Sequence, residues 1–406
     1  MNAELFTHKP ESPLQACPSG PLSGRQILIH PDLSVQGWLT DAGCQGLTGF
    51  HAVMDATATA RLKAAGAVLS GSTRMAELGL GVNGNTMAKA LCAGHGSLGL
   101  VTDLLGEARM SACLGGWYGF KPSYGLISRF GLVGLVPSME CTGFIAADPA
   151  DIKTAVETVA GPDENDFSMS PEPAPNINIE ISDPAPIPIG VPRQIRDHLS
   201  SAAQKAFSAA LDQTAEAGFA IQEIELPELG LFSAAHQVIA SVEASSACGK
   251  YDGVRYGFRA EEGRNWNEMY LKFRGRAFGP RIKAFLFQGT YFQFENYTAF
   301  EKACGLRQKL VRQLDDLFAS VPLIALPARL AHADPSQAET IDETYAAFGL
   351  TLPANLAGLP ALCLPGMATD GETDLGLQLV GPRMSDARVL AAGQKIYASM
   401  QGDCRE

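Results

Sequence analysis

Short unbroken apolar runs alternate along this chain with longer stretches whose apolar residues recur at helical spacing. QILI at 26–29, AVLSG at 67–71, LGLVTD at 98–103, QEIELPEL at 222–229 and PLIALP at 322–327 read as buried strands. Between them, DATATARLKAA at 55–65 carries Ala58, Leu62 and Ala65 on one helical face and stops at Gly66. Similar spacing predicts helices over 150–160, 201–217 and 297–319, and a largely helical region over 228–320. GVPR at 190–193 restarts a strand, and the stretches 351–358 and 374–381 are expected to complete the sheet. Such alternation predicts an α/β fold, with a large mixed sheet flanked by helices in one domain. Residues 1–24, rich in Pro and Ser, are expected to be a flexible segment preceding a domain over 25–400. A Pro-rich tract at 168–188 reads as a surface excursion.

The densest accumulation of small residues lies at 81–125, GVNGNTMAKALCAGHGSLGLVTDLLGEARMSACLGGWYGFKPSYG. Small side chains let backbones approach closely, and glycine supplies backbone angles other residues avoid. LGLVTD ends on Asp103, and the carboxyl ends of strands are where open α/β sheets bind ligands. Chemistry is therefore expected here.

Composition narrows the classes. With 46% hydrophobic and 18% charged residues, the 406-residue chain can bury a large core. It contains no run of 18 apolar residues and no signal-peptide pattern at its start, so neither a membrane span nor export is expected. Nine scattered cysteines without a CxxC pair imply reduced thiols in a cytoplasmic protein, not a disulfide framework or a metal site. A formal charge of −12 argues against a broad nucleic-acid grip, while leaving room for a local basic patch. No cofactor is implied.

Five blocks carry a resemblance: DATATARLKAAGAVLSGSTRMAEL at 55–78, GFKPSYGLISRFGLVGLVPSMECTG at 119–143, EASSACGKYDGVRYGFR at 243–259, LPANLAGLPALCLPG at 352–366 and LGLQLVG at 375–381. In this order they resemble the amidase-signature family, and within it the A subunits of tRNA-dependent amidotransferases. The resemblance spans about residues 22–400 and implies a single α/β/α domain. It also implies acyl transfer by a Lys–Ser–Ser triad, in which a weak hydroxyl is activated by a base.

Carried over position by position, that triad is missing. The family block VAVKDNIDVAG aligns with ILIHPDLSVQG and puts His30 at the lysine. GGSSGGS aligns with GVNGNTM and puts Asn83 at the middle serine. DTGGSIR aligns with DLLGEAR and puts Glu107 at the nucleophile, with the framing Asp103 and Arg109 retained as structural residues. The turn that supplies the family's oxyanion-binding N–H groups becomes Leu104, Leu105 and Gly106, whose bulk is expected to fill the acyl space. At the positions the resemblance assigns to glutamine recognition stand Phe285 (or Ala284) and Phe348. The resemblance further implies an N-terminal helical region and a loop before 81 that this sequence lacks.

Loss of a nucleophile–base unit costs on the order of a million-fold in turnover, so amide hydrolysis is not expected. Three readings follow. The chain is a non-catalytic relative that binds a protein partner, such as another amidotransferase-like component, or a small apolar ligand. Alternatively, it is a repurposed enzyme pairing His30 with Glu107 for acid–base chemistry. In the third reading it is an amidase, or a component of an amidotransferase, that acts on carbon–nitrogen bonds. A helix N-terminus beside Glu107 is expected to hold its pKa low.

Overall fold

A computed structural model of the chain describes residues 2–82, 84–169, 173–181, 185–260, 263–330, 334–365 and 375–403. Its strands are β1 (Phe6–His8), β2 (Leu14–Gln15), β3 (Gln26–Ile29), β4 (Val68–Thr73), β5 (Leu98–Asp103), β6 (Tyr118–Lys121), β7 (Cys141–Ala146), β8 (Ile187–Pro192), β9 (Phe219–Ile224), β10 (Leu323–Pro327), β11 (Ala361–Leu364) and β12 (Leu377–Val380). Among the described residues they form one twelve-stranded sheet in the order β1-β4-β3-β5-β7-β6-β11-β12-β10-β8-β9, with β2 also on β4. The sheet is mixed: β4-β3-β5 and β10-β8-β9 run parallel, and the strands between them pair antiparallel.

Side chains alternate across a strand, and here the alternation feeds two cores. Phe144 on β7 joins the large core with Ile27 and Leu100, whereas its neighbour Ile145 joins a smaller one with Leu28, Ala108 and Ala112. The helix Glu107–Gly115 lies over β5, β6, β7 and β11 on the latter side. Its approach explains the small residues of 81–125. A Cβ on Gly119 would meet Ala112 Cβ at 2.6 Å, and one on Gly143 would meet Ala108 Cβ at 2.6 Å. A second group of helices, Thr57–Ala64, Pro149–Val159 and Asp386–Asp403, packs together against β7, β11 and β12.

Two expectations need correction. Residues 1–24 are not simply loose: β1 and β2 pair antiparallel with β4, and Phe6 is buried. The apolar spacing of FTH is too short to register as a strand until an open sheet edge is there to receive it. The stretch 351–358 is a helix, Leu352–Ala357, and not a strand. Pro353 in its first turn and Gly358 at φ +68° past its end are the ordinary start and stop of a short helix. The nearby strand is β11. Of the Pro-rich tract, the described residues 173–181 have no regular structure, and β8 begins within its last two residues.

Candidate functional site

The turn 104–106 joins the carboxyl end of β5 to the helix Glu107–Gly115. Gly106 takes φ +132°, and a Cβ there would lie 2.3 Å from Thr351 Oγ1. Only glycine fits that position, because both the backbone angle and the space exclude a side chain. The Thr351 hydroxyl donates to the carbonyls of Leu105 at 2.5 Å and Phe348 at 2.8 Å, which pins the turn against the helix Leu352–Ala357.

So held, the turn directs three successive backbone N–H groups inward, and the Glu107 side chain curls back to fill them. Glu107 Oε2 accepts from Leu104 N at 2.6 Å, Leu105 N at 2.7 Å and Gly106 N at 3.1 Å. Oε1 accepts from Gly81 N at 3.0 Å. The carboxylate is 3% exposed, so these four donors stand in for water. A cluster of converging N–H groups is a general anion receptor, and here the chain supplies its own anion.

The electrostatics differ from the expectation of a low pKa. Burial, followed by the Asp103 charge, pushes the Glu107 carboxyl up to about 7, and the N–H bonds to Leu105, Gly81 and Leu104 pull it back only in part. Desolvation wins because the site is dry. Asp103 goes the other way. Burial alone would raise it, but the Arg109 guanidinium, bonded through Nη2 at 2.9 Å and Nε at 3.3 Å, holds it below the usual range. Arg109 also donates to Thr351 O at 3.0 Å, to Gln378 Oε1 at 2.5 Å and to Asn355 Oδ1. The pair Asp103–Arg109 is therefore a latch between the site helix, the helix Leu352–Ala357 and β12.

His30 follows β3, its backbone N–H donating to Leu100 O at 2.9 Å. Its Nδ1 is shielded and has no hydrogen-bond partner among the described residues, and burial drives the imidazole down to about 3. It is neutral, and no hydrogen bond joins it to Glu107, whose oxygens face the N–H groups. The two members of the anticipated dyad thus make no direct hydrogen bond to each other. Asn83 lies outside the described residues. Leu104 and Leu105 are buried in the large core, as are Phe285 and Phe348. Phe285 lies with its ring 6.4 Å from that of Tyr345.

Sequence reading missed His236. This residue of the helix Leu229–Ala247 is fully buried, with Nε2 3.2 Å from Leu104 O and Nδ1 2.9 Å from Tyr345 Oη. A carbonyl can only accept, so Nε2 carries the proton and Nδ1 accepts from the tyrosine. His236 thus holds the outer side of the turn whose N–H groups hold Glu107. Nothing local in AAHQV signals this; the contact spans 132 residues. Also unforeseen was Lys121 Nζ, 3.7 Å from Cys141 Sγ. This cationic neighbour does not make a nucleophile, because burial pushes the thiol up to about 11 and both side chains are enclosed. No group of three or more His, Cys, Asp or Glu among the described residues is arranged to hold a metal ion. Nor is any helix among them long and apolar enough to cross a membrane.

Comparison with known proteins places these features in a family. The family described as Amidase matches residues 6–90 and 87–390. The A subunit of the glutamyl-tRNA(Gln) amidotransferase of Haloarcula marismortui is 31% identical over 413 residues, covering 94% of this chain and 97% of that one. Its counterpart in Symbiobacterium thermophilum is 31% identical over 91% of this chain and 82% of its own. Among solved structures, the A subunit of the Thermotoga maritima glutamyl-tRNA(Gln) amidotransferase superposes with a TM-score of 0.79 at 24% identity, over 97% of this chain and 86% of that one. The native peptide amidase of Stenotrophomonas maltophilia gives 0.76 at 21% identity, over 94% and 84%. With matches that run through nearly its whole length, the chain belongs to the amidase family.

Proposed function

We propose that this chain is a cytoplasmic amidase-family protein that no longer hydrolyses amides and acts instead by binding, most simply as a partner for another protein. One observation carries the reading. The N–H groups that would have to receive a developing oxyanion are occupied by the carboxylate of Glu107, which stands where a nucleophilic serine is expected. An oxyanion hole works only when its donors, about 2.7–3.1 Å away, are free to meet charge that forms in the transition state. A side-chain carboxyl already seated on those donors removes that differential, and a neutral His30 at the lysine position supplies no cation. Neither Phe285 nor Phe348 offers a charge to an amino-acid substrate.

Ammonia release from glutamine, asparagine and a simple aliphatic amide is the test. We expect no turnover above the uncatalysed rate for the native chain. Glu107→Ser is expected to stay inactive as well, because the base that would activate the new hydroxyl is absent. Turnover near about 1 per second, in the ordinary enzymatic range, overturns the reading. It would return the chain to the alternative its relatives suggest, an amidotransferase-like component that acts on carbon–nitrogen bonds.

A further inference from the structure

The helix Pro280–Phe294 has two apolar faces with different fates. Ile282, Phe285, Leu286 and Gly289 recur at helical spacing and are buried on the side that packs against the helix Leu229–Ala247. The approach there is close, since a Cβ on Gly289 would lie 1.8 Å from Ser241 O. That face is spent on the fold.

Half a turn round the helix, Ala284, Phe287, Tyr291 and Phe294 follow one another at steps of three, four and three residues. All four are exposed, Phe287 at 73%, Tyr291 at 52% and Phe294 at 71%. Such steps are the seam spacing of a helix that packs against another helix. Single exposed apolar residues need no explanation, but three aromatic rings in one row do. At about 150–250 Å² for each aromatic side chain, the row leaves about 300–500 Å² of surface in water. This is roughly half of the about 800 Å² that one partner contributes to a stable interface.

We infer that this row is the contact through which two copies of the chain pair, helix against antiparallel helix, about a two-fold axis level with Gly289. The row is complementary to its own reverse. Positions spaced evenly about residue 289 face each other across such an axis, so Phe287 meets Tyr291 of the other copy and Ala284 meets Phe294. Ring meets ring near the axis, and the one small side chain of the row meets a large one further out, which fills each layer. Charge then selects against other occupants. Residues 284–298 contain no Lys or Arg and a single acid, Glu295. A nucleic acid would find rings to stack on but no cation for its phosphates. An anionic lipid surface would find none either. Reversed pairing sets Glu295 level with the positive N-terminal turn of the other copy's helix and opposes the two helix dipoles. Glu107 plays no part in this contact, so the pairing and the loss of hydrolysis are tested apart.

Sedimentation velocity of the full-length native chain, from about 1 to about 100 μM, measures the pairing. A dimer is expected. Its dissociation constant should rise at least about tenfold with Phe287→Glu, and likewise with Tyr291→Lys, because each puts an unpaired charge into the contact. Mixed in equal amounts, the two variants should recover a dimer, since the antiparallel register brings the introduced carboxylate of one beside the introduced amine of the other. Both positions are exposed, so an unfolding transition equal to that of the native chain establishes that each variant folds. A native chain that stays monomeric throughout overturns the pairing. So does a dimer indifferent to the variants, and so does a mixture that stays monomeric. Uncharged phosphatidylcholine vesicles are the remaining competitor. A native chain that floats with them, and no longer does so as Phe287→Glu, overturns the pairing in favour of a membrane surface.

Discussion

At the scale of single residues, the side chain that matters most is Glu107. Its four N–H partners are buried, and removing the carboxylate leaves them unpaired in a dry site. We therefore expect Glu107→Ala to destabilise the fold by about 3 kcal/mol, the range for losing charge-assisted bonds and stranding their donors. Urea unfolding measures it. Formate should restore part of the loss, relative to chloride at equal ionic strength, because a small carboxylate fits the vacated receptor. Equal effects of the two salts would show that the N–H groups do not act as an anion site. Titration gives a second handle. A buried His236 that titrates near 3 stays neutral when folded but takes up a proton near 6.5 when unfolded. Its contribution is present above 6.5 and is lost as pH falls toward 3. Glu107 and Asp32, both raised to about 7 by burial, have the opposite sign: their contribution is present at low pH and is lost as pH rises through 7. His30 follows His236. Between about 4.5 and 6.5 the contributions of these four groups oppose each other two against two. His236→Asn removes one of the pair. Its cost in urea unfolding should be smaller at pH 5 than at pH 7 by about 2 kcal/mol; a cost independent of pH would refute the neutral histidine.

At the scale of elements, the site helix is held at its N-terminal end in two different ways. Glu107 satisfies the turn before it, and Arg109 ties its first turn to Asp103, Asn355, Gln378 and the Thr351 carbonyl. With side chains fully enclosed, Arg109→Met would strand the Asp103 carboxylate without a cation. We expect a loss of about 3–5 kcal/mol, while the double variant Asp103→Asn with Arg109→Met recovers part of it by removing the stranded charge. A double variant no more stable than the single one would argue against the latch. This arrangement also marks how far sequence reading reaches. DLLGEAR was legible as a strand end, a turn and a helix start, and Asp103 with Arg109 was legible as a frame because the resemblance to the family block DTGGSIR retains both residues. Asn355 and Gln378 were not, since they arrive from 246 and 269 residues away. The same limit hid His236. It also misled the reading of 351–358: apolar residues alone cannot tell a buried strand from a buried helix, and the decisive signals were Pro353 and Gly358.

At the scale of the molecule, the mixed sheet and its flanking helices were legible because period and punctuation repeat over hundreds of residues. The sheet edge was not, because edge strands are short and carry little pattern of their own. β4 has β3 on one side, and on the other its ladder is covered by β1 at Ser72 and Thr73 and by β2 at Val68 and Leu69. An uncovered edge offers unpaired N–H and C=O groups to any other chain. Phe6 anchors this cover: it sits in the core with Leu28, Met87 and Leu91, and its ring meets that of His95 edge-on at 5.2 Å. If the N-terminus were only a loose lead, Phe6→Ala would change stability by less than about 0.5 kcal/mol, as surface substitutions do. Packed as it is, it should cost about 3 kcal/mol. Deleting residues 1–9 should do more than destabilise. With half of the outer ladder of β4 bare, the shortened chain should scatter light on mild warming below its unfolding transition, where the full chain stays clear. A truncated chain that is as stable and as soluble as the parent would mean that β1 merely rests on the sheet, and that the domain begins later than its first strand.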